Sequence, residues 1–315
     1  MSAATQNTYI APKKKFFNNL IRRRYLIIMA LPGVLWLIFF IYAPMYGLIM
    51  AFTDYNIARP IMDAPWAGLR HFRDFYQSEF FWLTIRNTLA ISLLKLAVAF
   101  PFTILFAVLL NEVRSNRYRR GIQTITYLPH FFSWAVLGTI VIIWLSELGP
   151  ANDLLVNRLG LIDSPFLFLV RPNAFWPLTL FTDMWKSTGW NAIIFLAAIS
   201  GINPEYYEAA ALDGANRFQR IRYITLPSIA FVISLMFILN VGYIMHSNFD
   251  QILVLSNQLN FRTSMTLDLY VFRTGIVNGR FSFSTAIGLF KSLVALVMLL
   301  IANYTTKKIS GKSMF

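Results

Sequence analysis

The sequence predicts an all-α integral membrane protein with six transmembrane helices and with both termini in the cytoplasm. Three observations predict this fold class. Only 13% of the 315 residues are charged and 57% are hydrophobic, whereas a soluble domain carries about a quarter charged residues. Six apolar runs are long enough to cross a bilayer as helices. Lysine and arginine are unevenly distributed among the segments between those runs.

The six apolar runs are continuous, which distinguishes them from the strands of a membrane barrel. A barrel strand alternates apolar and polar residues over about 10 positions. A transmembrane helix needs about 20 mainly apolar residues, and these runs approach or exceed that length. The predicted spans are 25–52, 87–110, 122–145, 176–199, 227–245 and 281–304.

The distribution of basic residues predicts the orientation. With a cytoplasmic N-terminus, the inner segments hold 16 of the 28 Lys and Arg residues and the longer outer segments hold 8. Basic residues near span ends mark the cytoplasmic side. Those that fit the rule are Lys13, Lys14, Lys15, Arg22, Arg23, Arg24, Arg117, Arg119, Arg120, Lys307 and Lys308. Topology therefore accounts for the formal net charge of +14, and nucleic acid is not an expected partner.

The predicted spans divide the chain into consecutive parts. They are a cytoplasmic N-terminal tail (1–24), an additional first transmembrane helix (25–53), an extracytoplasmic loop (54–84), a five-helix core (85–306) that contains a cytoplasmic loop (200–226), and a cytoplasmic C-terminal tail (307–315). Basic residues precede the first span, as in a signal peptide. That span is much longer than a signal-peptide apolar region, and Pro44 and Tyr46 stand where a cleavage site would need small residues. We therefore expect it to be retained.

Several kinds of chemistry lack their sequence signals. The chain has no cysteine, which excludes disulfides and thiolate metal sites. Its three histidines, His71, His130 and His246, are scattered, so we expect no metal site. No phosphate-binding loop of the G-x-x-x-x-G-K-[ST] type occurs, nor do H-E-x-x-H or G-x-S-x-G. We expect no enzymatic activity and no cofactor on this chain, and any ATP must bind to another chain.

Residues 203–227 predict two short helices separated by a turn. Asn203 is a good N-cap and Pro204 suits the first helical position. Asp213-Gly214 ends the first helix, since glycine readily takes the left-handed conformation that follows a helix. A second short helix is predicted from about Asn216, before Pro227 opens the next span. The alanines between Glu208 and Leu212 leave the first helix with a smooth side that another protein can approach closely.

This segment resembles the EAA loop of ABC importer permeases. The resemblance rests on the pattern Glu208-Ala209-Ala210, with Asp213-Gly214-Ala215 following at the family spacing, and on Ile224-x-Leu226-Pro227 further along. Five core spans after an extra first helix are also similar to the maltose-type permeases, in particular to the subgroup for complex carbohydrates. Shorter matches to that group are Arg86-Asn87-Thr88, Tyr127-Leu128-Pro129 and Trp185-Lys186. The resemblance implies the fold of a type I ABC importer permease.

The resemblance also implies partners. In that family the EAA loop, which we name the coupling loop (200–226), docks into a groove on a cytoplasmic ATPase. Glu208 would pair with a basic residue there, Ala209 and Ala210 would permit close packing, and Gly214 would shape the turn. The implied complex has a second, related permease subunit, two ATPase subunits that bind ATP and Mg²⁺, and an extracytoplasmic solute-binding protein. It would lie in the bacterial cytoplasmic (inner) membrane.

Ionisable residues inside the predicted spans need a reason to be there, because each costs at least about 2.5–3.5 kcal/mol at the bilayer centre. Lys95 and Lys291 either line a polar path or pair between helices. Lysine can also extend its ammonium to the membrane surface. Asp183 and Lys186 are candidates for the same polar path. They are three residues apart on one helix, so we expect them instead to pair with each other.

A sugar path needs hydrogen-bonding and aromatic side chains. Trp185, Trp190, Asn191 and Asn240 are candidates to contact an oligosaccharide, although most aromatic residues in such a chain belong to interfacial belts. The in-span lysines favour an acidic sugar, such as an alginate- or pectin-type fragment. The alternative function is an ion-coupled secondary sugar transporter, which usually needs more spans and internal repeats.

Overall fold

The structure is a computed structural model that describes residues 23–310. The predictions for Lys13, Lys14, Lys15 and Arg22, and for residues 311–315, therefore fall outside the described residues. Between residues 23 and 310 all regular secondary structure is helical, apart from one bridge that joins Thr53 and Trp66. The predicted all-α class is confirmed for this part of the chain.

Fourteen segments are numbered in chain order. They are α1 Arg24–Phe52, α2 Arg70–Gln77, α3 Phe80–Asn111, α4 Asn116–Phe131, α5 Trp134–Trp144, α6 150–158, α7 Pro172–Ser200, α8 Pro204–Leu212, α9 Arg217–Ser228, α10 Ala230–Gly242, α11 Phe249–Leu255, α12 Phe261–Ser264, α13 267–277 and α14 Phe281–Ser310. Most of the long ones follow the apolar runs of the sequence, although α3 begins seven residues before the predicted span and α2 lies within the predicted outer loop.

Three helices, α1, α3 and α14, are each long and apolar enough to cross a membrane, and two bent pairs bring the count to five in the described residues. The pair α4 and α5 bends by 103°, and α9 and α10 bend by 62°. Helix α7 has 29 residues, which is long enough to cross a membrane. It is less apolar than the three helices named above and is not counted among these candidates. The count of six spans and the cytoplasmic termini therefore stay predictions.

The run 122–145, which the sequence predicts as one span, is broken at Phe132 and Ser133. Both residues have extended backbone, and the Ser133 hydroxyl accepts a hydrogen bond from the Val136 amide at 3.3 Å to cap α5. Serine is a preferred N-cap residue because its oxygen satisfies an amide that lacks an intrahelical partner. The break therefore has a local cause that hydropathy does not reveal.

Two apolar clusters fix the direction of the helices. At one end, the beginnings of α3 and α7 pack together with α11, α13 and α14, and Phe75, Phe175 and Ile252 lie among the buried residues. At the other end, Val108 of α3 packs with Ile199 of α7, beside α9. Helices α3 and α7 therefore run parallel, and the loop that holds α8 and α9 lies at the end opposite α2.

Helix α1 packs mainly through its last part. Residues 43–52 contact α14, and Ala51 is fully buried there. No residue in its most apolar window is buried by the described part of the chain. Most of α1 therefore lies outside the packed core of the described residues, and its role as an additional span stays a prediction.

Candidate functional site

A cavity of about 370 Å³, lined by both polar and apolar residues, lies between α3, α7 and α10. We name it the chamber. Its polar lining residues are Ser92, Lys95, Thr103, Asp183, Asn191, Asn240, Tyr243 and His246. Four of the residues that the sequence nominates for a substrate path, Lys95, Asp183, Asn191 and Asn240, thus share one cavity. Their contact with a substrate stays a prediction.

An ion pair between α3 and α7 crosses the chamber wall. The Lys95 ammonium lies 3.3 Å from the Asp183 carboxylate, and each side chain is only 17% exposed. Lys95 also donates a hydrogen bond of 2.8 Å to the Gln251 side-chain oxygen. In a low-dielectric interior, such pairing offsets the cost of removing both charges from water.

Helix α11 reinforces this ion pair from the far side. The Gln251 amide donates to the Thr179 carbonyl at 2.7 Å and to the Thr182 hydroxyl at 2.8 Å. The Asn248 amide donates to the Asp183 carboxylate at 3.2 Å. Three separate helices are therefore connected through one buried polar network, and a displacement of α11 would alter the partners of Lys95 and Asp183.

A second buried ion pair joins α14 to α13. The Lys291 ammonium contacts the Asp268 carboxylate and donates to Nδ1 of His246 at 2.9 Å. Burial, and then the neighbouring Lys291 charge, lower the pKa of His246, while Asp268 opposes them. A neutral imidazole fits an Nδ1 that accepts from lysine. Lys291 thus has two partners, and the structure does not place it on the chamber lining.

The contacts of Lys186 show that the predicted pair of Asp183 and Lys186 is wrong. Lys186 does not form an ion pair with Asp183, whose ion-pair partner in the described residues is Lys95. Its ammonium instead donates to the carbonyl oxygens of Pro129 at 3.4 Å, His130 at 2.9 Å and Phe132. These carbonyls stand at the end of α4, where the regular helical bonding ends. The Phe132 amide bonds the Pro129 carbonyl at 3.3 Å, and Lys186 bonds all three. Lys186 therefore caps the break between α4 and α5.

The two tryptophans lie outside the chamber lining. Trp190 stacks on the His130 ring, with centroids 4.5 Å apart and planes within 3°. Trp185 lines a separate, almost wholly apolar cavity of about 650 Å³ between α4, α5 and α7. The Tyr127-Leu128-Pro129 and Trp185-Lys186 matches thus come together around one helix break. A role of either tryptophan in sugar contact stays a prediction.

The Arg86-Asn87-Thr88 match also acquires a structural role. The Asn87 amide donates to the carbonyls of Arg262 and Met265, both at 3.0 Å, and the Thr88 hydroxyl accepts from the Leu267 amide at 2.9 Å. The Arg86 guanidinium donates to the same Arg262 carbonyl at 2.9 Å. These side chains hold the segment between α12 and α13 against the start of α3.

The coupling loop has the local structure that the sequence predicts. Asn203 accepts a hydrogen bond from the Glu205 amide at 3.1 Å, and α8 begins at Pro204. Gly214 has φ +76°, the left-handed conformation. The Ala215 amide donates to the Ala210 carbonyl at 2.8 Å, which together with the Gly214 amide completes a Schellman termination. The helix is therefore closed at both ends by its own residues.

The surface of the coupling loop is largely unpacked. No residue of α8 is buried, and Glu208, Ala209, Asp213 and Gly214 are exposed. Ala210, Ala215 and Ile224 are half-buried, Leu226 packs beside Ile229, and Pro227 is exposed. The apolar Leu212 and Phe218 are 91% and 75% exposed. A bond of 2.9 Å between the Tyr207 and Thr225 hydroxyls ties α8 to α9.

Sequence reasoning missed several residues of the polar networks. Gln251, Asn248, Asp268 and His246 were not nominated, although each contacts a nominated charge or its partner. All four lie in the predicted outer segment, where a polar residue attracts no attention. The one usable signal was the presence of three in-span lysines with a single in-span carboxylate, which required further partners.

Comparisons with known proteins identify the family. The family described as "Binding-protein-dependent transport system inner membrane component" matches residues 99–311. Protein LplB of Bacillus subtilis (strain 168) is 38% identical over 295 residues, which cover 93% of this chain and 92% of LplB. The polygalacturonan/rhamnogalacturonan transport system permease protein YteP of the same strain is 37% identical over 304 residues, which cover 96% and 94%.

Solved structures agree with this assignment. A chain of a bacterial ABC transporter involved in the import of the acidic polysaccharide alginate matches with a TM-score of 0.86 and 38% identity, over 94% of this chain and 99% of that chain. A bacterial alginate ABC transporter in complex with an alginate pentasaccharide-bound periplasmic protein matches with a TM-score of 0.86 and 37% identity, over 95% and 99%. The resemblance to ABC importer permeases is thereby confirmed, and the chain belongs to the family of binding-protein-dependent transport system inner membrane components.

Proposed function

We propose that this chain is a permease subunit of an ATP-driven importer of oligosaccharides and that its coupling loop transmits ATP-driven motion from a separate ATPase. The observation that carries the proposal is the exposed, self-capped helix α8. Its local structure is complete, yet Leu212, one turn after the exposed Glu208, is 91% exposed, and Phe218 of the following α9 is 75% exposed. Large apolar side chains left exposed on one loop favour a protein partner.

The coupling mechanism follows from how the loop is attached. Helix α8 connects directly to α7 through residues 201–203, and α9 leads into α10. Both α7 and α10 line the chamber. A push on α8 would therefore move two walls of the chamber together, which suits alternating access. In this proposal ATP and Mg²⁺ bind to two partner ATPase subunits, and a second, related permease completes the path.

We further propose acidic oligosaccharides as the substrate. Support comes from the similarity to YteP, a polygalacturonan/rhamnogalacturonan permease, and to chains of two alginate transporters. The in-span lysines do not carry this proposal, because Lys95 and Lys291 are paired with carboxylates and Lys186 with carbonyls. Lys95 still lines the chamber, so a uronate carboxylate could compete with Asp183 for it.

The proposed topology places six spans in the bacterial cytoplasmic membrane, with both termini and the coupling loop inside. An extracytoplasmic binding protein would then meet residues 54–79 and 248–280. The structure supports this arrangement in that the α2 end and the α8 end lie at opposite ends of α3 and α7.

The test of coupling is co-purification of the ATPase with wild-type protein and with Glu208→Lys and Gly214→Asp variants, together with sugar-stimulated ATP hydrolysis in liposomes. We expect both variants to lose ATPase binding or stimulation. Asp163→Lys is the matched control, since it makes the same charge change as Glu208→Lys on an exposed residue between α6 and α7. Uptake that persists without any ATPase would favour an ion-coupled secondary transporter and refute the proposal.

The test of substrate class is uptake of matched acidic and neutral oligosaccharides by the same liposomes, with the cognate binding protein present. We expect the acidic oligomer to be taken up much faster. Equal uptake of both would contradict the acidic substrate while leaving the importer assignment intact.

A further inference from the structure

The segment between α3 and α4 must lie at a membrane surface. Helix α3 ends at Asn111 and α4 begins at Asn116, and both belong to candidate spans. Four arginines, Arg114, Arg117, Arg119 and Arg120, fall within this short connection and the first turn and a half of α4. Their position near two span ends brings their guanidinium groups within reach of lipid headgroups.

The beginning of α4 has an apolar ridge that the chain does not cover. No residue of Asn116–Tyr127 is buried. Tyr118 and Ile125 are 74% and 73% exposed, and Ile122 is 38% exposed. Their spacing of four and then three residues places them on one face of the helix. We name residues 114–125 the arginine ridge.

The arginines flank this apolar face. At about 100° per residue, Arg117 and Arg119 project about 100° to either side of Tyr118. In residues 23–310 no carboxylate lies within ion-pairing distance of any of the four arginines, and the one side-chain contact found for them joins Arg119 to the Asn116 oxygen at 2.7 Å. Basic residues on both sides of an apolar face are typical of helices that lie in the membrane interface.

We propose that the arginine ridge binds the anionic phospholipid headgroups of the adjacent leaflet, with Tyr118 and Ile125 inserted at the boundary between headgroups and acyl chains. A soluble phosphate would satisfy the guanidinium groups but would leave the apolar face in water, so a lipid surface fits both halves of the ridge. The proposal depends on the span ends of α3 and α4 and is independent of the ATPase and of the sugar.

This contact has a mechanical consequence. The ridge is the first part of α4, whose other end is bonded to Lys186 at the 103° bend into α5. Headgroup binding would fix one end of α4 in the membrane plane while the capped break fixes the other. Lipid composition would then bias how α4 lies against α7. The two helices are in close contact there, since a Cβ placed on Gly189 of α7 would lie only 2.3 Å from the Thr126 carbonyl oxygen of α4.

The test uses the absence of native cysteine. Tyr118→Cys is labelled with an environment-sensitive fluorophore, and the full chain is reconstituted, with any co-purified partners, into phosphatidylcholine vesicles. Two vesicle preparations are compared. One contains phosphatidylglycerol with a quencher attached near its headgroup, and the other contains the same mole fraction of phosphatidylcholine with the same quencher. We expect the quencher-bearing phosphatidylglycerol to quench the fluorophore at position 118 at least about twofold more strongly than the quencher-bearing phosphatidylcholine does. Replacing all four arginines by glutamine should make the two lipids equal.

Two controls keep the outcome decisive. A label at Tyr206→Cys, an exposed tyrosine of similar accessibility on α8, should not be quenched by either lipid. Raising the salt concentration to about 1 M shortens the screening length to about 3 Å. This should abolish the preference for phosphatidylglycerol in the protein that retains its four arginines, so the test does not depend on membrane insertion of the glutamine variant. Equal quenching by both lipids at low salt, or no quenching at position 118 because a protein covers it, would overturn the proposal.

Discussion

The side chains of the chamber wall find their partners within the chain, whereas several side chains of the coupling loop remain exposed. In the chamber wall the charged side chains of Lys95 and Asp183 find partners within the chain, from α3, α7 and α11. In the coupling loop the backbone is satisfied locally, yet Leu212 and Phe218 contact little else and remain exposed. The difference indicates that the chamber wall contributes to the stability of the fold and that the coupling loop is available to bind another protein.

This comparison predicts that substitutions in the chamber wall will change stability and that substitutions of exposed side chains in the coupling loop, such as Glu208→Lys, will change coupling alone. The largest expected loss is that of Asp183→Asn, which leaves the Lys95 ammonium buried without a counter-charge. Breaking a buried pair on one side costs about 3–5 kcal/mol. The measurement is thermal unfolding of the purified protein in detergent.

Two further variants sharpen this prediction. Asp250→Asn makes the same change at an exposed position of α11 and should shift stability by no more than about 0.5 kcal/mol. Replacing both partners, by Lys95→Met with Asp183→Leu, should recover most of the loss, because two apolar groups need no counter-charge. An Asp183→Asn protein as stable as the wild type would show that the pair is not structural.

A second prediction concerns the contact of α4 with α7. A Cβ on Gly189 would lie 2.3 Å from the Thr126 carbonyl oxygen, so Gly189→Ala must force the two helices apart. Overpacking of this kind costs about 1–3 kcal/mol. Gly288→Ala in α14 is the matched control, since nothing lies within 4 Å of its Cβ and alanine favours a helix. The measurement is the unfolding temperature of both variants, and equal temperatures would contradict the close contact.

A third prediction concerns the cap at the helix break. Lys186→Met removes the donor that bonds the Pro129, His130 and Phe132 carbonyls. The Phe132 amide still bonds the Pro129 carbonyl, but the partly buried His130 carbonyl loses this donor, and leaving such an acceptor without a partner costs about 1–3 kcal/mol. Hydrogen exchange should accelerate at the amides of residues 131–137 and stay unchanged in α14, which serves as an internal control. Uniform exchange in both proteins would show that Lys186 does not hold the break.

The features that the sequence predicted are those whose signals are local. Asn203, Pro204 and Gly214 define α8 through capping rules that act within a few residues, and all three have the predicted conformations. The apolar runs located most of the long helices for the same reason. The break at residues 132–133 lies within an apolar run, so hydropathy could not reveal it.

The polar networks were not predictable, because their members are far apart along the chain. Lys95 and Gln251 are separated by 156 positions, and no periodicity connects them. The nearest opposite charge in sequence to Asp183 is Lys186, yet the folded chain pairs Asp183 with Lys95. Spacing on one helix allowed the first pair, and the packing of α3 against α7 selected the second.

The smallest expected effect on stability belongs to Glu208→Lys. Glu208 is exposed and takes part in no ion pair among residues 23–310, so its substitution should change the free energy of unfolding by less than about 0.5 kcal/mol. Sugar-stimulated ATP hydrolysis should nevertheless be lost, since the variant places a like charge against the basic residue expected on the ATPase. Thermal unfolding and ATP hydrolysis measured on one preparation separate the two effects. A protein that unfolds at a lower temperature and still hydrolyses ATP at the normal rate would reverse the comparison, because the loop would then be part of the fold and the ATPase would bind elsewhere.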